Sequence, residues 1–189
     1  KAMVSPFLTS KEILFNALKR TIDIIFSVLL LILTAPIILI TMILIKVESE
    51  GNVFYKQDRL GKNNNIFTIY KLRSMYNDAE VDGAKWARIN DTRITRVGAF
   101  IRKTRIDELP QLINVLKGEM SIIGPRPERE IFAEKFIMED ENFSYRTLVK
   151  PGLTGLAQIN GGYELSPFEK LEFDLQYIQE RSIKMENKI

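Results

Sequence analysis

With 189 residues, 46% of them hydrophobic, and a formal net charge of +3, the chain can form one domain with its own core and is too evenly charged to indicate nucleic-acid binding. It contains no cysteine and no histidine, which excludes disulfides, thiolate nucleophiles, Cys/His zinc sites and imidazole bases. Catalysis would therefore rest on carboxylates, lysine, tyrosine or hydroxyl groups, with a metal such as Mg²⁺ bound through oxygen.

Residues 1–18 predict a short lead followed by an amphipathic helix at an interface. Thr9 or Ser10 can cap this helix, and apolar residues then recur at helical spacing. Residues 19–47 form an apolar block in which residues 24–45 carry no charge and no polar face is evident. That stretch is long enough for a helix across a bilayer core of about 30 Å.

Three features of the block argue against a simple span. Pro36 falls in its middle, where proline removes a backbone hydrogen bond. Lys19 and Arg20 precede the block, another lysine follows it, and Asp23 also favours water. A helix-break-helix hairpin that enters and leaves by one leaflet satisfies these constraints. A kinked spanning helix stays open on physical grounds, as does a buried core helix, although little chain remains to surround one.

The sequence then predicts a β-hairpin from "NVFYKQ" and "IFTIYKL", with a turn around Gly61 and with Lys71 and Arg73 on its second arm. Residues 77–83 resemble the start of a calcium loop, but Ile89 stands where the last acidic ligand is needed. We therefore interpret residues 77–83 as a solvated loop.

Five cations within thirteen residues precede an adjacent pair of acids, Asp107 and Glu108. These cations are Arg93, Arg96, Arg102, Lys103 and Arg105. They predict either a solvated helix face or a pocket for a phosphorylated ligand. The acids have two interpretations as well. Asp107 can be the N-cap of a helix whose dipole suits Glu108, or one carboxylate can be a nucleophile or metal ligand held ionised by the cations.

Two later segments have functional and structural interpretations. Arg126 lies between two prolines, which restrict its backbone and reduce the entropy lost when its guanidinium binds a ligand. The segment "KPGLTGLAQINGG" contains four glycines that allow close approach of backbone to a ligand. Both segments can also be ordinary connections. A helix with a capping box is predicted to begin at Ser166.

The segments "IYKLRSM", "TRIDELPQLINVLKGEMSIIGPRP" and "KPGLTGLAQING", with the proline-interrupted apolar block, resemble the bacterial sugar transferases. These are monotopic phosphoglycosyl transferases, and the resemblance covers roughly residues 19–182. It implies an α+β fold, in which a re-entrant membrane hairpin precedes a mostly helical cytoplasmic domain (residues 48–189) with a short β-hairpin. It also implies the cytoplasmic face of the bacterial inner membrane as the location, and a catalytic part of a longer protein.

By the same resemblance, the chain would transfer a sugar-1-phosphate from a UDP-sugar to polyprenyl phosphate and release UMP. Asp107 matches the family's nucleophile, and Glu108 the residue that holds Mg²⁺. Arg102 and Arg126, with Lys71 and Arg73, would bind substrate phosphates. The sugar is not implied, and a homodimer stays open.

Two alternatives to this hypothesis can be distinguished by the nucleotide that each would release, if any. A membrane-anchored scaffold could hold anionic lipid on its basic residues without catalysis. A glycosyltransferase that moves the sugar alone would release UDP, although the sequence has no clear Asp-x-Asp metal motif for it.

Overall fold

The computed structural model describes residues 9–79, 81, 83, 91–162 and 164–189. Its α-helices are α1 (Ser10–Glu48), α2 (Arg96–Lys103), α3 (Leu112–Lys117), α4 (Glu130–Glu139), α5 (Leu156–Ile159), α6 (Pro167–Glu180) and α7 (Ile183–Glu186). Its 3₁₀ helices are Lys62–Asn64, Ile106–Gln111 and Glu141–Leu148. Its strands are β1 (Phe54–Leu60), β2 (Ile66–Leu72), β3 (Ser121–Ile123) and β4 (Gly152–Thr154).

The mostly helical α+β architecture with a β-hairpin is thereby confirmed. Strands β1 and β2 pair antiparallel, from Phe54 opposite Leu72 to Leu60 opposite Ile66. The predicted helix at Ser166 is also present, with both hydrogen bonds of its capping box. Residues 1–8 of the predicted lead, and Ile89, on which the calcium-loop comparison depends, lie outside the described residues.

A second sheet, which the sequence did not predict, consists of β3 and β4 in parallel. Two glycines allow the chain at β4 to pack closely against the backbone of Gly124, which follows β3. A Cβ on Gly152 would lie 2.1 Å from the Gly124 nitrogen, and one on Gly155 would lie 2.2 Å from the Gly124 oxygen. The sequence left open whether these glycines admit a ligand or belong to an ordinary connection, and in the fold they bring β4 against the segment that follows β3.

The predicted break at Pro36 is not confirmed, because α1 runs without interruption from Ser10 to Glu48. Proline removes one hydrogen bond of the helix, and the turn before it gains another from the Thr34 hydroxyl, which donates to the Leu30 carbonyl at 2.6 Å. The predicted boundary between residues 18 and 19 also falls inside α1, so the amphipathic and apolar segments form one helix. Thr9 caps it with a capping box.

One narrow face of α1 is buried against the rest of the chain. Its fully buried residues, Asp23, Ser27, Thr41 and Ile45, recur at intervals that place them on one side of a helix. The sequence did not identify this buried face, which carries the hydroxyl side chains of Ser27 and Thr41. Large apolar side chains cover the other sides and are exposed, among them Ile25, Phe26, Leu29, Ile32, Leu33, Leu39, Ile40, Ile43 and Leu44. Among the described residues, α1 is the helix long and apolar enough to cross a membrane.

The first half of α1 is anchored by the residues that the sequence placed at the water interface. Arg20 donates to the carbonyls of Val115 at 2.5 Å and Leu116 at 2.8 Å, which satisfies acceptors at the C-terminus of α3. The Asp23 carboxylate accepts the Ile122 amide at 3.0 Å. Lys19 forms an ion pair with Glu186 of α7. All three predicted flanking residues therefore bind the folded domain.

The second half of α1 is anchored to the same domain. Ile45 packs in a cluster with Leu72 of β2 and Ile101 of α2. The Glu48 carboxylate accepts the first two amides of α2, those of Arg96 at 2.8 Å and Val97 at 3.0 Å, which would otherwise lack partners in a helix. Both ends of α1 thus contact one globular unit.

Candidate active site

The adjacent acids lie in the 3₁₀ helix that connects α2 to α3. Arg105 precedes this helix in a left-handed conformation with φ of 61°, a strained geometry for a non-glycine residue that is frequent at functional sites. Asp107 and Glu108 follow it with only 6% and 5% of their surface exposed. Asp107 lies inside the helix, and its buried Oδ1 has no hydrogen-bond partner. The N-cap interpretation of Asp107 is therefore wrong.

Glu108 is surrounded by cations from three separate parts of the chain. Lys71 of β2 donates to Oε1 at 2.8 Å. Arg126 approaches both oxygens, with a short bond to Oε1 and one of 3.2 Å to Oε2. Arg105 lies 3.9 Å from Oε2. The bidentate guanidinium contact is the geometry in which arginine binds a carboxylate most strongly.

These surroundings shift the pKa values of the two acids in opposite directions. Burial alone would raise the pKa of Glu108, but Arg126 and Lys71 together hold it well below its usual range. For Asp107, burial and the neighbouring Glu108 charge exceed the attraction of Lys71, Arg102 and Arg126, and its pKa is raised. The expectation that the cations keep a carboxylate ionised thus holds for Glu108, whereas Asp107 is the more basic of the two.

Asp107 lines a cavity of about 890 Å³. Among the described residues, ten lysine and arginine side chains line it against three aspartates and glutamates, so it suits an anionic ligand. Arg102, Lys71 and Arg126 are among them, and the structure therefore brings these three predicted residues to one cavity with Asp107. Its volume is within the range of small-molecule sites.

Arg73, the fourth predicted phosphate ligand, has a different environment. Its guanidinium is almost fully buried and donates to the Glu50 carbonyl, to the Ser49 carbonyl at 2.8 Å and to the Ser49 hydroxyl at 2.9 Å. These contacts fix the chain just after α1. Arg73 contributes to the cavity wall, but its terminal nitrogens are already engaged.

The segment that carries Arg126 is held by main-chain hydrogen bonds on two sides. The Gly152 amide donates to the Pro125 carbonyl at 2.8 Å, and the Leu60 amide donates to the Glu128 carbonyl at 2.9 Å. Arg59 also reaches the Pro127 carbonyl at 3.1 Å. The two prolines, predicted to restrict Arg126, thus lie in a segment that the hairpin and β4 fix in place.

Other polar residues of the cavity were not identified from the sequence. Arg146 and Asp174 form a buried pair at 2.7 Å, and Gln158 presents a buried Oε1 without a partner. All three line the cavity. They come from segments far from the acidic pair in sequence, and no local pattern distinguishes them from solvated residues.

The opposite pKa shifts predict opposite effects of neutralising the two acids. Ionised Asp107 is disfavoured in the folded state at neutral pH, so Asp107→Asn should raise the free energy of unfolding, by about 0.5–2 kcal/mol. Glu108→Gln leaves Lys71 and Arg126 without their counter-ion and should lower it by about 3 kcal/mol. Thermal unfolding of the two variants at pH 7 measures both effects.

The pH dependence supplies a control for the second variant. Because the pKa of Glu108 is lowered on folding, its carboxylate stabilises the protein above its ordinary pKa of 4.5, and this contribution is lost as pH falls through the folded-state pKa. The stability difference between wild type and Glu108→Gln should therefore narrow in acid. Equal effects of both substitutions at neutral pH would contradict the assigned environments.

Comparison with known proteins identifies the family of the chain. The family described as bacterial sugar transferase matches residues 14–189. The chain is 46% identical over 173 residues to the UDP-N-acetylgalactosamine-undecaprenyl-phosphate N-acetylgalactosaminephosphotransferase of Aeromonas hydrophila, covering 90% of this chain and 41% of that protein. It is 53% identical over 139 residues to a putative undecaprenyl-phosphate N-acetylgalactosaminyl 1-phosphate transferase of Bacillus subtilis (strain 168), covering 74% and 78%.

A third relative is the UDP-glucose:undecaprenyl-phosphate glucose-1-phosphate transferase of Escherichia coli (strain K12), 43% identical over 180 residues, with 91% of this chain and 38% of that protein covered. The chain thus spans about two fifths of the length of the first and third of these relatives. Since the family matches nearly the whole chain, the protein belongs to the bacterial sugar transferases.

Proposed function

We propose that this chain is a phosphoglycosyl transferase that moves a sugar-1-phosphate from a UDP-sugar to polyprenyl phosphate, such as undecaprenyl phosphate, and releases UMP. This would be the first membrane step in the assembly of a glycan. The observation that carries the proposal is Asp107, which lines the cation-rich cavity and whose buried Oδ1 has no hydrogen-bond partner. The names of the relatives support the class of donor and acceptor but differ in the sugar.

In the first half-reaction, Asp107 Oδ1 attacks the phosphorus that carries the sugar. A bond forms between Oδ1 and that phosphorus, and the bond to the oxygen bridging the two phosphates breaks, so that UMP leaves. The raised pKa of Asp107 makes its ionised form more nucleophilic than an ordinary aspartate. Arg102 and Arg126 would balance the charge of the diphosphate.

In the second half-reaction, a phosphate oxygen of the polyprenyl phosphate attacks the same phosphorus. The bond to Asp107 Oδ1 breaks, which regenerates the carboxylate and gives the polyprenyl diphosphate sugar. Glu108 is paired with Lys71 and Arg126, whereas Asp107 Oδ1 has no partner, so Asp107 is the better placed of the two as the nucleophile. The low pKa that follows from this pairing also makes it the weaker base of the two acids.

Mg²⁺ fits the donor set of this site. No cluster of three or more carboxylates is present within the described residues, but Mg²⁺ in phosphoryl-transfer sites is usually held by one or two carboxylates together with substrate phosphates. Glu108 would hold the ion, in exchange for one of its present cation contacts, with Asp107 beside it. When bound, Mg²⁺ would neutralise charge on the diphosphate.

Product analysis tests the reaction class. Incubation with a UDP-sugar and polyprenyl phosphate should release UMP at a rate that Asp107→Asn abolishes while the variant stays folded. Glu108→Gln should also be impaired, and excess Mg²⁺ should partly restore it. Release of UDP would instead show transfer of the sugar alone, and no nucleotide release from wild type would favour the lipid-binding scaffold.

We further propose that α1 is monotopic, so that it enters and leaves the membrane on the cytoplasmic side. Arg20 and Asp23 near one end and Ile45 and Glu48 near the other contact the same domain, which cannot lie on both sides of a bilayer. The exposed apolar side chains of α1 would face lipid. A re-entrant hairpin requires the helix to bend at Pro36 in the bilayer, and this bend is part of the same proposal.

Cysteine labelling tests this topology cleanly, because the chain has no natural cysteine. Lys11→Cys and Lys56→Cys flank the membrane segment, one on each side in sequence. Both should react with a membrane-impermeant maleimide in inside-out vesicles and not in intact spheroplasts, with permeabilised cells as the control. Labelling of Lys11→Cys from the periplasm would establish a spanning helix.

A further inference from the structure

Arg146 and Asp174 form an ion pair in the cavity wall that the proposed reaction does not use. Arg146 belongs to the 3₁₀ helix Glu141–Leu148 and Asp174 to α6, and the two are 8% and 1% exposed. Arg146 Nε donates to Asp174 Oδ2 at 2.7 Å, and the guanidinium lies over the Phe143 ring, 4.7 Å from its centroid. A buried ion pair adds little net stability by itself, which raises the question of what this one does.

The same guanidinium holds the backbone of Arg126. Arg146 Nη2 donates to the Arg126 carbonyl at 2.9 Å, while the Arg126 side chain extends to Glu108. Contacts therefore run from Asp174 through Arg146 to Arg126 and on to Glu108. Arg126 lies between two prolines, which offer no amide hydrogens to neighbouring elements on either side.

Side chains anchor two carbonyls of this segment, since Arg59 donates to that of Pro127 and Arg146 to that of Arg126 itself. Main-chain amides donate to the carbonyls of Pro125 and Glu128, and no side-chain substitution removes them. The Arg126 carbonyl, in contrast, accepts its hydrogen bond from a side chain, and Asp174 orients that side chain. The position of the phosphate-binding arginine thus depends on two residues distant in sequence.

We propose that Arg146 and Asp174 are positioning residues for Arg126. They fix its carbonyl, and with it the direction in which its guanidinium reaches the diphosphate of the substrate. This inference rests on the proposed function for the identity of the ligand. The pair acts through Arg126 and does not itself contact the diphosphate.

The test removes the pair without leaving a buried charge. A single substitution can prevent folding, because it strands the partner charge. The double variant Arg146→Met/Asp174→Leu replaces the pair by apolar side chains and should fold, as judged by thermal unfolding. Its affinity for UDP, measured by calorimetry, should fall about tenfold or more, since loss of a supporting contact typically costs a site that much.

A double-mutant cycle with Arg126→Ala separates positioning from direct binding. If the pair acts through Arg126, adding Arg146→Met/Asp174→Leu to Arg126→Ala should cause no further loss of UDP affinity. Lys56→Met is the matched control, because it removes a cation from the same cavity wall that lies over Tyr70, and its effect should add to that of Arg126→Ala.

Additive losses for the pair would overturn the inference and indicate direct contact with the ligand, and unchanged UDP affinity in the double variant would overturn it as well. Because the cycle measures binding, its result is independent of turnover. Absence of UMP release from wild type would contradict the proposed function alone.

Discussion

The ion cluster around Glu108 joins the parts of the chain that form the site. Lys71 comes from β2, Arg105 from the turn after α2, and Arg126 from the segment between β3 and α4, and all three approach one buried carboxylate. Three cations this close would repel one another strongly without it, because screening by water is weak in a buried site. Their attraction to Glu108 therefore fixes how the hairpin, the 3₁₀ helix and the proline-flanked segment meet.

The same cluster explains why two adjacent acids have different chemistry. Glu108 makes direct contacts with Lys71 and Arg126, and its pKa falls. Asp107, one residue earlier on the 3₁₀ helix, is left with an unpartnered oxygen and a raised pKa. Pairs of titratable groups whose environments move their pKa values apart are characteristic of active sites. One carboxylate organises the cations, and in the proposed reaction the other attacks a ligand that those cations attract.

The sequence predicted the local features of this fold well, including the β-hairpin and the capped helix at Ser166. Prediction was weaker where a residue's role depends on partners far along the chain. Asp23 was assigned to water and binds Ile122, and Arg73 was assigned to phosphate and fixes the end of α1. Arg146 and Asp174 carry no local signal, because their importance arises only when α6 packs near Arg126. Pro36 is the opposite case: the local sequence predicted a break in the helix there, but α1 continues through it.

The central claim is that Asp107 becomes covalently attached to the sugar phosphate, and intact-protein mass spectrometry tests it most directly. The enzyme is incubated with a UDP-sugar in the absence of lipid acceptor, and the modified peptide is sequenced. We expect a sugar-phosphate adduct on Asp107 that disappears when polyprenyl phosphate is added, and no adduct in Asp107→Asn. UMP formation by wild type without any adduct, or an adduct that persists in Asp107→Asn, would contradict it.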